Sequence, residues 1–338
     1  MKKVLVTGVS GYIGQHCAAE LLRQGYSVRG SLRQLSKSQE LLNGFRNAGV
    51  PTTNLSFCKL DLLDDVGWGD AMKDCEYLMH VASPFITQEP KDENKLIIPA
   101  LEGTKRALQA AFKSKISRIV LTSSMVTMLG DAYGSLNIDQ NTWTDLHSKN
   151  ISAYVKSKTL AERFAWEAVK NQNENNKLGM VVINPGPVFG PTLSGNLSGE
   201  SMSMFRKLIT GKIPMQPQAS INMSDVRDVA VIHVKALQIE KAIGQRFIVS
   251  TEKPYSFLDL AKILKCNGYN RVNTKIAPTV LLKTMMRFNA GLKGMRPFVG
   301  NTFHGDVSNT IRVFDWHPIP FKKTVLDTAL SVEKAMKS

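Results

Sequence analysis

Tyr154 and Lys158, in the run Tyr154-Val155-Lys156-Ser157-Lys158, are the residues of this chain best spaced to move a proton. Four positions apart on a helix, they share one face with a single turn between them. A phenol ordinarily keeps its proton to about pH 10. A fixed ammonium one turn away favours the phenolate and draws that value toward neutrality. Such a pair can protonate a carbonyl oxygen while a hydride reaches the carbon. Of the seven tyrosines, this one alone has a lysine at that offset. The spacing acquires meaning only if the rest of the chain builds a place for it.

The elements around it alternate. Lys3 to Thr7 reads as a buried strand and Tyr12 to about Gln24 as a helix, with further strands at Ser27 to Leu32, Leu55 to Lys59 and Tyr77 to Val81. A long helix from about Glu93 to Lys115, a strand at Arg118 to Thr122, a helix from Ala153 to Asn171 and a strand at Met180 to Asn184 follow. Strands separated by helices of this length make βαβ units, hence an α/β fold with a Rossmann-type, doubly wound parallel sheet. After Pro185-Gly186-Pro187 the texture changes. Residues 190–220, rich in Gly, Ser, Pro and Met, read as loops of a smaller lobe. A helix at Asp225 to Gln238 and a strand at Phe247 to Ser250 come next, then further helices interrupted by Pro297 and Pro318. The expected organisation is a dinucleotide-binding domain over 1–186, to which 221–250 returns, and a mainly substrate-binding lobe over 187–338.

Composition narrows the function classes. A chain of 338 residues with 43% apolar content suits one large domain with a small lobe and an ample core. Cys17, Cys58, Cys75 and Cys266 have neither disulfide-framework nor zinc spacing, which fits reduced thiols in the cytoplasm and no metal. No stretch approaches the 18 or so apolar residues of a membrane span. The formal charge of +15 is scattered, with no run of five basic residues, so it reads as a solvated surface that attracts small anions. Neither a nucleic acid nor a membrane is the expected partner. A small-molecule carbonyl substrate, apolar or aromatic, is, with the chain as monomer or homodimer.

Thr7-Gly8-Val9-Ser10-Gly11-Tyr12-Ile13-Gly14 closes the first strand and opens the first helix. Glycines there permit a tight turn, close approach of backbone to a pyrophosphate and close helix–sheet packing, while the helix start offers unpaired amides. The second strand ends in Arg29-Gly30-Ser31-Leu32-Arg33, with Lys37 beyond and no acid in reach. An acid would repel a ribose 2′-phosphate and a guanidinium can grip it. NADPH (NADP+) is therefore the expected dinucleotide, with Arg33 and Lys37 at the phosphate.

With these stretches in view the chain resembles the extended short-chain dehydrogenase/reductase family over nearly its whole length. The branch it resembles holds dihydroflavonol reductases, cinnamoyl-CoA reductases, 3β-hydroxysteroid dehydrogenases and microbial aldehyde or ketone reductases. Val81-Ala82-Ser83-Pro84, Pro99-Ala100-Leu101-Glu102-Gly103-Thr104, Leu121-Thr122-Ser123-Ser124, Asn184-Pro185-Gly186-Pro187-Val188-Phe189-Gly190 and Asp225-Val226-Arg227-Asp228-Val229-Ala230 carry the resemblance. It implies that Ser124 orients the carbonyl, Tyr154 donates the proton, and Lys158 tunes the tyrosine and holds the nicotinamide ribose. It further implies that Asp61 and Leu62 lie against the adenine, that Val81, Ala82 and Ser83 line the cofactor path, and that Pro185 and Val188 meet the nicotinamide side. One departure stands out. Plant dihydroflavonol reductases place an asparagine five residues after the serine, where this chain has Leu129, so an apolar carbonyl compound is expected rather than a dihydroflavonol. Met202, Met204, Met215 and Met223 suit either an adaptable pocket or core filling.

The implied activity is NADPH-dependent reduction of a ketone or aldehyde to an alcohol. An NAD-dependent sugar-nucleotide epimerase or dehydratase shares the fold and the Tyr/Lys chemistry. It generally carries an acid after the second strand and a Tyr-Gly pair beyond the serines, where this chain has Arg33 and Thr127-Met128. Oxidation of the 3β-hydroxysteroid type is the other alternative. A non-catalytic dinucleotide sensor usually lacks the Tyr/Lys pair.

Overall fold

The structure, a computed structural model, describes residues 1–84, 89–130, 134–148, 151–172, 178–197 and 199–337. The chain begins β1 (Lys3–Thr7), α1 (Tyr12–Arg23), β2 (Ser27–Leu32), α2 (Ser38–Asn47), β3 (Leu55–Lys59), α3 (Trp68–Met72) and β4 (Tyr77–His80). It continues with α4 (Asn94–Phe112), β5 (Arg118–Thr122), β6 (Ser135–Ile138), α5 (Ala153–Lys170) and β7 (Gly179–Pro185). Then come β8 (Val188–Phe189), α6 (Glu200–Ile209), β9 (Ser220–Ile221), β10 (Ser224–Asp225), α7 (Val226–Lys235) and β11 (Arg246–Val249). The last stretch holds β12 (Tyr255–Ser256), α8 (Phe257–Cys266), α9 (Thr279–Phe288), α10 (Ala290–Lys293), β13 (Thr302–Gly305), α11 (Ser308–Phe314) and α12 (Phe321–Lys337).

Seven strands form the main sheet in the order β11-β7-β5-β4-β1-β2-β3, and every pairing in it is parallel. Its central strands are buried on both faces, as a sheet covered by helices requires: β5 and β7 have no residue above the buried class. One face packs against α1 and α7 through Cys17, Leu21, Val229 and Ile232. The other packs against α3, α4 and α5 through Trp68, Leu108 and Ala165. The strand order reverses direction between β1 and β4, so their carboxyl ends splay and leave the crevice in which open α/β sheets bind ligands.

A smaller cluster gathers α6, α8 and α12 around Phe205, Leu264 and Val325. A four-stranded sheet, ordered β12-β9-β13-β6, packs Ile138, Ile221 and Phe303 in one cluster with Ile248 of β11. The return to the main body extends past 250, because Phe314 at the end of α11 meets Phe247 of β11 edge-on at 4.7 Å and Trp316 joins the same core.

Three differences from the sequence reading have plain causes. Residues 200–209 are a helix rather than loop, since Met202, Phe205 and Leu208 recur every three positions and are buried. The fourth strand stops at His80, because the amides of Val81 and Ala82 turn to donate to the Thr7 hydroxyl, each at 3.1 Å. The seventh sheet strand starts one residue early, at Arg246, a charged residue with 6% exposure.

Candidate active site

The glycine turn after β1 is shaped by contacts that leave no room for side chains. Gly8 sits at φ +68°, where a Cβ would come within 2.9 Å of the Ala82 backbone, and a Cβ on Gly14 would lie 2.2 Å from the Gly8 carbonyl oxygen. The Gly8 amide donates to the Ser31 hydroxyl at 3.1 Å and the Gly11 amide to the Gly8 carbonyl at 2.9 Å. Helix α1 starts at Gly11 with no side-chain cap and no acid in its first turn. Its leading amides therefore face the crevice as an uncapped positive end, the arrangement that accepts phosphate.

The side chains of Thr7 and Tyr12 are engaged within the protein. The Thr7 hydroxyl accepts from the Val81 and Ala82 amides and pairs with His80 Nδ1 at 2.9 Å, so its side chain ties β1 to β4. The Tyr12 hydroxyl donates to the Gly190 carbonyl at 2.7 Å. What both offer the crevice is backbone. Ser10 and Gly11 are exposed at the turn, and Ile13 is half-buried behind it. Val81, Ala82 and Ser83 run beside the glycines, brought there by the Thr7 contacts.

Beyond the turn, Arg33 and Lys37 are exposed past the end of β2, with no side-chain hydrogen bond or ion pair among the described residues. Arg29 is engaged instead: its guanidinium donates to the carbonyls of Asp70, Ala71 and Lys73. Asp61 caps its own turn through the Leu63 amide at 3.0 Å, and Leu62 fills the space above Gly103, where a Cβ would come within 2.6 Å of it. A turn too tight for side chains at its glycines, an uncapped helix start and two cations past the end of β2 with no partner among the described residues together fit a dinucleotide bearing an extra phosphate.

The residues expected to handle the proton, Ser124, Tyr154 and Lys158, meet at the carboxyl ends of β5 and β7. Ser152 caps α5 by accepting from the Val155 amide, which fixes the helix start two residues before Tyr154. Ser124 leaves β5 in extended conformation, its hydroxyl accepting from the Val126 amide at 3.3 Å and donating to the Pro185 carbonyl at 3.4 Å. The Ser124 and Tyr154 hydroxyls share a hydrogen bond. Lys158 is buried one turn on, its ammonium donating to the Thr122 carbonyl at 3.4 Å. Val188, buried on β8, and Pro185 border the same end.

Electrostatics correct one expectation. Burial pushes the Tyr154 phenol up to about 12, opposed by the Ser124 hydrogen bond, and Lys158 is not among the groups that move it. Burial also pulls the Lys158 ammonium down to about 8, with the Glu162 carboxylate opposing. Among the protein's own groups, desolvation outweighs the charge effect that the spacing suggested. Tyr154 is thus a phenol, not a phenolate, at neutral pH.

Several residues near the site were invisible in the sequence. His80 pairs with Thr7: because the Thr7 hydroxyl accepts two amides, its proton points to His80 Nδ1, and burial keeps that imidazole neutral, down to about 3. His233 accepts from the Thr122 hydroxyl at 2.7 Å. Neither has a local signal, since both partners are more than 70 residues away. Conversely, Leu129 is fully buried in the cluster of Met125, Ile138 and Val155, so core packing accounts for its apolarity and it says nothing of the substrate. Met202 and Met223 are core residues of the small cluster, not pocket lining. The Asp225-to-Ala230 stretch is structural: Asp225 caps α7 and pairs with Arg227 at 2.7 Å, and Asp228 holds the Trp316 indole and the Ile319 amide. All four cysteines are free thiols. No helix among the described residues is long and apolar enough to cross a membrane.

Comparison with known proteins gives a consistent result. The sequence model of the NAD dependent epimerase/dehydratase family matches residues 4–249. An NADPH-dependent methylglyoxal reductase of Saccharomyces cerevisiae is 32% identical over 279 residues, 77% of this chain and 81% of that protein. A cinnamoyl-CoA reductase of Medicago truncatula is 34% identical over 271 residues, 78% of this chain and 79% of its own length. Among solved structures, yeast methylglyoxal/isovaleraldehyde reductase in complex with NADPH superposes with a TM-score of 0.79 at 27% identity, over 99% of both chains.

Proposed function

The chain belongs to the NAD dependent epimerase/dehydratase family, the extended short-chain dehydrogenase/reductases, and from that premise we propose the following reading of its chemistry. The protein is an NADPH-dependent oxidoreductase that reduces the carbonyl of a small molecule to an alcohol. The observation that carries the assignment of residues is the meeting of Ser124, Tyr154 and buried Lys158 at the carboxyl ends of the strands, beside a glycine turn that fits phosphates.

NADPH, when bound, supplies the hydride. The leading amides of α1 and the backbone of Gly8, Ser10, Gly11, Tyr12, Ile13 and Gly14 hold its pyrophosphate, and Arg33 with Lys37 takes the 2′-phosphate. Thr7 sets the turn by joining β1 to β4. Asp61 and Leu62 border the adenine, Val81 to Ser83 line the path between the ends, and Pro185 and Val188 border the nicotinamide. Ser124 donates to the substrate carbonyl and orients it, and Tyr154 delivers its proton to the developing alkoxide. A phenol held protonated by burial is suited to the reductive direction, in which it must be a donor. Lys158 places a positive charge at the end of the strands, where negative charge develops on the oxygen. Similarity to an isovaleraldehyde reductase and a cinnamoyl-CoA reductase supports a small carbonyl substrate with an apolar or aromatic body. The free thiols suit a reducing compartment, the cytoplasm.

Tyr154→Phe tests the assignment. Removing the general acid should lower NADPH-dependent turnover by about 10²- to 10⁴-fold with NADPH binding unchanged. Turnover near that of the unaltered enzyme would remove Tyr154 from the mechanism.

A further inference from the structure

Beneath Ser124 and Lys158 lies an ion pair to which the chemistry above assigns no part. Arg246 on β11 and Glu162 on α5 meet at 2.6 Å with side chains 6% and 1% exposed. Burying both charges carries a desolvation cost, and such pairs are often no more stabilising than apolar residues of the same volume. What distinguishes this one is where its remaining contacts go.

Both carboxylate oxygens of Glu162 are occupied. One accepts from Arg246 and from the Trp166 indole at 3.3 Å; the other accepts from Ser123, from the Thr127 hydroxyl at 2.8 Å and from the Asn184 amide at 3.0 Å. The Arg246 guanidinium also donates to Thr127 Oγ1 at 2.8 Å and to the Gln140 and Thr142 carbonyls, and it lies 3.8 Å over the Trp143 ring. Two routes lead upward from this cluster. The Ser124 carbonyl faces the Thr127 hydroxyl at 2.9 Å and the Asn184 amide at 3.3 Å, and Ser123 is the residue before it. Glu162 is also one helical turn beyond Lys158, on the same stripe of α5 as Tyr154.

We propose that the Glu162–Arg246 pair is a positioning device for the reaction, fixing the Ser123–Ser124 backbone against α5 and anchoring the Lys158 ammonium. The inference rests on the roles proposed above for Ser124, Tyr154 and Lys158. The titratable groups that line the cavity with Lys158 are Glu162 on its own helix and His80 from β4, with Tyr154 one turn earlier on α5 and Arg246 of β11 behind Glu162; Thr104 of α4 and Thr122 of β5 complete the wall. Neutral His80 leaves Glu162 as the one anion of this set.

Glu162→Gln keeps the shape and removes the charge. It should lower kcat by about 10- to 100-fold, the scale of a slightly misplaced catalytic group, while leaving the NADPH dissociation constant within about 2-fold. The alkaline fall of kcat should move to lower pH, because losing the anion disfavours the Lys158 ammonium. Because Gln leaves Arg246 charged and buried alone, the charge-neutral pair Glu162→Gln with Arg246→Met is the second variant. It should recover thermal stability without recovering kcat or the original alkaline limb. Recovery of kcat and pH profile together with stability would reduce the pair to a structural role and overturn the proposal, as would unaltered kcat and pH profile in Glu162→Gln. Tyr154→Phe, measured alongside, separates the failures: if it retains turnover, the site reading itself is wrong. If it is inactive while both Glu162 variants behave as unaltered enzyme, only the positioning role falls.

Discussion

Lys158→Met should stop turnover and at the same time stabilise the cofactor-free protein. The reasoning starts from burial. Lys158 is 8% exposed, and desolvation pulls its pKa from the ordinary 10.5 to about 8, with Glu162 already working in the opposite direction. Between those two values the unfolded chain binds more protons than the folded one, so stability rises with pH across that window. At pH 7 the folded protein holds an ammonium it would rather neutralise, at a cost of about 3 kcal/mol. Methionine matches the stem and removes the charge. It surrenders one long contact to the Thr122 carbonyl at 3.4 Å, worth about 1 kcal/mol, and leaves Glu162 paired with Arg246 at 2.6 Å. The net gain is about 2 kcal/mol, or a few degrees in Tm for a chain of this size. By about pH 9.5 the charge penalty shrinks to about 1 kcal/mol as the folded lysine loses its proton. Urea unfolding of the two cofactor-free proteins at both pH values reads the difference directly, and NADPH oxidation reads the activity. A variant less stable than the unaltered protein at pH 7, or an advantage that grows toward high pH, would refute the argument that burial dominates at this lysine.

Arg33→Ala should raise KM for NADPH by about 10- to 100-fold, the loss of a charge-assisted phosphate contact, and change KM for NADH little; equal effects on both would remove the 2′-phosphate role. Gly14→Ala puts a Cβ 2.2 Å from the Gly8 carbonyl oxygen, so the turn must open. Isothermal titration should show NADPH binding lost, whereas binding at the original affinity would show that the turn is not the phosphate cradle. Ser124→Ala removes one donor to the reacting oxygen and should cost kcat about 10²-fold with NADPH binding intact; unchanged kcat would leave the serine as turn chemistry alone.

Much of this was legible in the sequence because the signals are local. Val4, Leu5 and Val6 announce a buried strand, and a glycine turn at its end followed by a helical pattern announces the crevice. All seven strands of the main sheet fall within a residue of where apolar runs place them. What the sequence hid was long-range. Arg246 looks like a residue outside a strand, and its burial depends on distant partners: Glu162, 84 positions earlier, Thr127 and the Gln140 and Thr142 carbonyls. His80 likewise depends on Thr7. The helix at 200–209 was masked by a Gly- and Ser-rich surround, although Met202, Phe205 and Leu208 carry its period. The Tyr154/Lys158 spacing misjudged the electrostatics of the pair, because spacing reports proximity and not solvent exclusion. Leu129 shows the converse error: an apolar residue near a site was read as substrate-facing when it faces the core.

The central claim is hydride transfer from NADPH to a carbonyl with Tyr154 as the acid. It is tested most directly with NADPH carrying deuterium at the transferable C4 position, offered with methylglyoxal, isovaleraldehyde and a panel of larger aldehydes and ketones, and the products read by mass spectrometry. The account predicts an alcohol with one deuterium on the carbinol carbon, formed in step with NADPH consumption by the unaltered enzyme and nearly absent with Tyr154→Phe. A purified protein that holds NAD tightly and interconverts a sugar nucleotide without net NADPH consumption would contradict it, as would deuterated alcohol formed at an undiminished rate by Tyr154→Phe.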